Sequence, residues 1–128
     1  MKLLLDTVAL YRATTAPETL PSAVSTALAD SSHQLMISIV SAWELAIKAS
    51  LGKLALPCGI DEFFTQASRD LLAESVGLEL RFVAKVETLP QHHGDPFDRL
   101  LIAHALVENC TVMTNDPRFA AYGVTVLW

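Results

Sequence analysis

Short apolar runs alternate along this chain with longer stretches in which apolar residues recur every three or four positions, the pattern of strands threaded between helices. Residues 2–5 form an apolar run that ends at Asp6 and Thr7, which reads as a fully buried strand from the centre of a parallel sheet. A helix is expected from Thr7 to about Ala13, and a second from Pro21 to about Asp30, with Val24 and Leu28 on one face. Residues 35–37 are the second strand. The helix after it carries Trp43, Leu45, Ala46, Ile47 and Ala49, has Ser38 and Ser41 as alternative caps, and stops at Gly52. Asp61 is placed to cap a helix in which Phe63, Phe64, Ala67 and Leu71 share a face. Residues 78–82 then read as a third strand, followed by a short helix to Leu89 that Pro90 ends. Asp95 and Pro96 open a further helix, an acidic cap before a proline at the first helical position, where no amide donor is lost. Residues 111–114 and 124–128 complete the set of strands. Five short strands separated by helices predict a three-layer α/β sandwich around a parallel sheet, because right-handed crossovers leave few other solutions.

At 128 residues the chain is expected to be one domain, residues 1–128, with no linker or repeat. An apolar share of 52% and a mean hydropathy of +0.38 are high for a chain this small, and the surplus points to a covered partner surface. No run is long enough to span a bilayer, and the run at residues 3–5 lacks the length of a secretion signal, so the expectation is a cytoplasmic protein with no membrane role. Cys58 and Cys110 are far apart and fit neither a redox pair nor a zinc knuckle; they are expected to be reduced thiols, at least one of them buried. The net charge of −5 argues against binding nucleic acid by bulk electrostatics. It leaves room for a metal-dependent nuclease, whose cation would neutralise several of the acids.

The positions of those acids change the picture. Asp6 and Asp116 each follow a strand, Asp98 lies in the first turn of a helix, where the macrodipole favours a carboxylate, and Glu44 is the lone acid of a largely apolar helix. In an open α/β sheet, ligands sit at the carboxyl ends of the strands. If the first and fourth strands lie side by side, the four acids meet there; their repulsion would raise their pKa values unless a hard divalent cation such as Mg²⁺ relieved it. Ordinary readings stand beside this one: Asp6 as a helix cap, and Glu44 in a capping box with Ser41 or in an i to i+4 pair with Lys48. His92, His93 and His104 do not have the spacing of a zinc site.

The succession LLLDT at Leu3, WELAIK at Trp43, GKLALP at Gly52, DPFDRLLIAHAL at Asp95, TNDPRF at Thr114 and the closing YGVTVLW resembles the PIN-domain proteins of the VapC-like toxin group, over essentially the whole chain. The resemblance implies a PIN-like sheet ordered 3-2-1-4-5 and a Mg²⁺- or Mn²⁺-dependent endoribonuclease that is restrained by a cognate antitoxin and is commonly a homodimer. It implies that Asp6, Glu44, Asp98 and Asp116 are the catalytic and metal-holding acids. Asp95 would support them as helix cap, and Thr114 would orient the last acid. Lys48, Lys53, Arg99 and Arg118 are candidates for phosphate contacts, each with a salt bridge as its ordinary alternative. One departure concerns the first helix: close relatives often carry His after the Asp-Thr pair and aromatic residues beyond it, whereas this chain has Val8, Leu10, Tyr11 and Arg12, so substrate contacts there are expected to differ.

Other chemistries fit less well. A receiver domain would want paired acids after the first strand and a lysine after the last, and a haloacid-dehalogenase-type phosphatase would want Asp-x-Asp, where residue 8 is Val. The alternative from another class is a PIN-fold binding module without activity that works through a protein partner.

Overall fold

The computed structural model describes residues 1–128. The order is β1 (Lys2–Leu5), α1 (Thr7–Thr15), a 3-10 turn (Pro17–Thr19), α2 (Ser22–Ala29), β2 (Gln34–Ser38), α3 (Ile39–Ser50), α4 (Ile60–Asp70), β3 (Glu74–Val76), α5 (Leu80–Glu87), α6 (Pro96–Glu108), β4 (Thr111–Met113), a second 3-10 turn (Ala120–Tyr122) and β5 (Val126–Leu127). The five strands form one all-parallel sheet ordered β3-β2-β1-β4-β5. This is the three-layer α/β architecture expected from the sequence, in the 3-2-1-4-5 order.

Side chains alternate across each strand, so the sheet divides the core in two. Leu3, Leu5, Leu35, Ile37 and Met113 pack with Leu10, Val24, Leu45, Phe63 and Phe64 on the face covered by α1, α2, α3 and α4. Leu4, Met36 and Val112 pack on the opposite face with Leu101, Ile102, Phe119 and Tyr122. β1 is buried on both faces because it is flanked by β2 and β4, which is why it reads as an unbroken apolar run. Cys110 is buried and Cys58 partly so, both as free thiols. No helix is long and apolar enough to cross a membrane.

Two expectations are corrected. The third strand is Glu74–Val76, not residues 78–82. It is an edge strand of three residues, two of them exposed, and carries no apolar signature. The leucines that suggested a strand are largely outside: Leu78 is 47% and Leu80 82% exposed. Phe82 belongs to α5, where it is buried and stacks on His104 with ring centroids 4.4 Å apart. The cap of α4 is likewise Gly59 rather than Asp61, which lies in the first turn as a dipole-compensating acid. Of the two serines before α3, Ser38 is the cap and accepts from the Val40 amide at 3.1 Å.

Candidate active site

The carboxyl edge of the sheet is built by four chain segments. β1 delivers Asp6, whose amide donates to the Met113 carbonyl of β4 at 3.1 Å, so the ends of the two central strands are pinned together. α3 follows β2 directly and carries Glu44; the turn after β4 carries Asp116, and the start of α6 carries Asp98. Asp95 caps α6 as expected, its Oδ1 accepting from the Phe97 amide at 2.8 Å and the Asp98 amide at 3.2 Å. This fixes the first turn and hence the direction of Asp98.

Asp98 and Asp116 are joined by a residue that the sequence reading set aside. His93 is buried, and its Nε2 lies 2.8 Å from Asp98 Oδ2 and 3.2 Å from Asp116 Oδ2. The amide of Asp95 donates to the other ring nitrogen, Nδ1, at 3.2 Å. Arg118 holds Asp116 from outside: its backbone amide and Nε reach Oδ1 at 2.9 and 3.0 Å, and its Nη2 reaches Oδ2 at 2.8 Å. The two acids therefore differ electrostatically. Arg118 holds the Asp116 carboxyl down at about 2. Burial, followed by the charges of Asp95 and Glu44, pushes Asp98 up to about 6, against the pull of His93.

Asp6 and Glu44 form the other half of the edge. Asp6 does cap its own helix, accepting from the Ala9 amide at 2.7 Å. Burial still raises its carboxyl; the Thr114 hydroxyl and the Ala9 amide pull it back, and the charges of Glu44 and Asp116 add to the rise. The capping reading of Asp6 is therefore met, and its carboxylate also feels the charges of the other acids at this edge. Glu44 is buried, accepts from the Thr7 hydroxyl at 2.6 Å, and pairs with Lys48 Nζ at 2.7 Å. The Thr7 hydroxyl also lies 3.2 Å from that of Ser41, so Ser41 serves this cluster and does not cap α3. Thr114 is buried, and its Oγ1 accepts from the Asp116 amide at 3.1 Å, which shapes the turn holding the last acid.

The basic candidates separate cleanly. Arg99 is buried and faces away from any incoming phosphate. Its guanidinium donates to the Pro90 carbonyl at 2.9 Å and the Tyr122 hydroxyl at 3.1 Å, and reaches the carbonyls of His93, Val86 and Leu89 at 3.4 Å. It is corrected from phosphate contact to anchor of the loop that carries His93. Lys48 and Arg118 are engaged with Glu44 and Asp116 but keep side chains 43% and 57% exposed, and Lys53 is exposed. The departure on the first helix appears as an open groove beside the edge, lined by Val8, Tyr11, Arg12, Leu45, Lys48 and Leu54.

A family model for the PIN domain matches residues 3–124. The chain belongs to the PIN domain family. No curated protein matches it in sequence, but solved structures share its fold over nearly the full length. One is VapBC2 from Rickettsia felis bound to a DNA fragment from its promoter, with a TM-score of 0.73 and 18% identity over 100% of this chain and 99% of that one. Another is DNA-bound VapBC from Salmonella typhimurium, with a TM-score of 0.71 and 16% identity over 99% and 97% of the two chains. A third is FitAcB from Neisseria gonorrhoeae, with a TM-score of 0.66 and 18% identity over 98% and 96%.

PIN domains typically use a divalent metal ion, and the residues of this PIN domain suit one. The ligand atoms of His93, Asp98 and Asp116 lie within 4.8 Å of one another. Asp6 and Asp98 are raised by burial and by neighbouring acids, so the protein's own cations leave negative charge uncompensated at this edge. Carboxylate oxygens are hard donors of the kind Mg²⁺ and Mn²⁺ prefer.

Proposed function

We propose that this PIN domain is an endoribonuclease that uses Mg²⁺ or Mn²⁺ and acts as the toxin of a toxin-antitoxin pair. The observation that carries the reading is the setting of Asp98, a half-buried acid at a helix N-terminus whose carboxyl is raised by that burial and by its neighbours Asp95 and Glu44. Such an arrangement costs stability, and a bound cation would relieve it.

Asp6, Glu44, Asp98 and Asp116 would hold the ion. When bound, it supplies water activation and stabilises the charge that develops on phosphorus during phosphodiester hydrolysis. The protein's own part is positioning. Asp95 aims Asp98 by fixing the first turn of α6, and Thr114 fixes the turn of Asp116. Thr7 and Lys48 hold the two oxygens of Glu44. Lys48, Lys53 and Arg118 stand where exposed cations can meet RNA phosphates, and the groove lined by Val8, Tyr11 and Arg12 offers the substrate a less polar wall.

The antitoxin follows from the company the fold keeps, since the VapBC and FitAcB structures are those of toxin-antitoxin systems. The chain would act in the cytoplasm. Ile39, Trp43, Ile47 and Leu51 recur every four residues along α3 and are 36% to 62% exposed, which gives a second copy of the chain an apolar stripe to cover. This is the surface that the high apolar content asks for.

The test is cleavage of a labelled RNA by the purified chain with Mg²⁺ or Mn²⁺. Activity that disappears with EDTA and in Asp98→Asn, while the variant stays folded, supports the reading. Equal cleavage by Asp98→Asn overturns the assignment of the site. Absence of cleavage with every RNA and either metal favours the inactive binding module instead.

A further inference from the structure

Resting on the reading of this edge as a divalent-cation site, we propose that His93 is a positioning residue that holds Asp98 beside Asp116 through a single N–H, and is not itself a ligand of the ion. The far side of the ring decides which nitrogen carries the N–H. A backbone amide can only donate, and the Asp95 amide points at His93 Nδ1 from 3.2 Å. Nδ1 is therefore an acceptor with a free lone pair. The N–H that the ring offers to its neighbours is therefore on Nε2. That nitrogen faces Asp98 Oδ2 at 2.8 Å and Asp116 Oδ2 at 3.2 Å. The N–H is thus given to Asp98, with Asp116 Oδ2 standing beside it, so one of two mutually repelling carboxylates is held in place.

The ring is held to this task. Its side chain is 1% exposed and meets the edge of Phe119 with centroids 6.3 Å apart. Its loop is staked by Arg99 through the carbonyls of Pro90 and His93, and by Tyr122, whose hydroxyl accepts from the His92 amide at 3.0 Å. To ligate a metal, Nε2 would have to give up its proton and Nδ1 would have to take one. The Asp95 amide would then have to turn away, although it belongs to the residue that caps α6. This role engages only Oδ2 of Asp98 and leaves Oδ1 for the ion. It also makes the donor set all oxygen, which favours Mg²⁺ and Mn²⁺ over the nitrogen-seeking Zn²⁺.

The experiment follows the His93 ring by ¹⁵N NMR during a Mg²⁺ titration of the wild-type protein, and measures Mn²⁺ binding by calorimetry in wild type, His93→Ala and His93→Gln. The ring is expected to keep its Nε2 proton before and after Mg²⁺. His93→Ala is expected to bind Mn²⁺ about 10- to 100-fold more weakly, the usual loss when a residue orienting metal ligands is removed. His93→Gln, whose amide can donate from nearly the same place, should recover most of that loss. Departure of the Nε2 proton on adding Mg²⁺ overturns the proposal even if both variants fail to fold. So does His93→Ala binding Mn²⁺ as tightly as wild type. If wild type binds no Mn²⁺, the cation-site reading falls and takes this one with it. If Mn²⁺ binding is lost in Asp98→Asn but only the His93 results fail, the positioning role alone is wrong.

Discussion

The two ends of α6 carry similar residues in opposite circumstances. At its C-terminal end Glu108 meets Lys2 at 3.3 Å and also pairs with Arg81, all at the surface, and the two cations hold its carboxyl below the usual range. At its N-terminal end Asp98 has acids for neighbours, and burial lifts it to about 6. An arginine stands near each end as well. Arg81 is half exposed and pairs with Glu79 and Glu108, whereas Arg99 is buried and spends its charge on backbone carbonyls. One end is balanced and gains little from it; the other is unbalanced and closely braced. Balance is what a fold needs for itself, and a braced imbalance marks a place kept for something else.

The comparison breaks most sharply at Asp98. Asp98→Asn should reduce metal-dependent RNA cleavage by roughly 100- to 1000-fold, the range seen when one preset electrostatic group is removed from a reacting site. Kinetics on a labelled RNA would show this, with circular dichroism confirming the fold. Next in size is Arg99→Met, which leaves several buried carbonyls without a donor. A loss of about 3 kcal/mol is expected in urea unfolding, whereas Arg81→Met at the other end should leave the midpoint almost unmoved, as exposed ion pairs do.

Asp98 also predicts a pH dependence in the metal-free protein. Its pKa is raised on folding, so the stability it contributes is fully present below about 4, its unfolded value, and is lost as pH rises through about 6. The loss should be of order 2 kcal/mol. Asp116, held at about 2, works in the opposite sense and stays ionised across that window. Melting curves from pH 4 to 7 in EDTA should therefore show falling stability in wild type and a flatter profile in Asp98→Asn. A wild type that gains stability over this range would contradict the electrostatic picture. The smallest effect belongs to Glu108→Gln, for which little change in melting midpoint is expected at any pH in the window.

The sheet and the acids at its edge were legible in the sequence for one reason. Buried parallel strands are apolar throughout, as in residues 2–5, and a carboxylate just past such a run stands out. The same logic failed at β3, because an edge strand has one neighbour and open faces and needs no apolar side chains; Glu74 and Ser75 gave nothing to find. Asp61 looked like a cap because acids cap helices, yet the chain turned into α4 two residues earlier, at Gly59. The roles of His93 and Arg99 were out of reach for a deeper reason. Their roles come from a loop folding back over the start of α6, and spacing along the chain says nothing about contacts with Pro90 or Tyr122. A faint signal existed in retrospect: a histidine two residues before a helix-capping aspartate, and an arginine one turn later on the buried side.

β1 is made first but lies in the middle of the sheet, between β2 and β4. On the ribosome the edge of β1 that faces β4 must therefore wait, unpaired, until residues 111–113 emerge. The Thr7–Glu44 contact can form early, while Asp6 meets Met113 only when the domain is nearly whole. A cell making this protein would thus hold nascent chains whose acidic sheet edge stays incomplete until β4 has emerged.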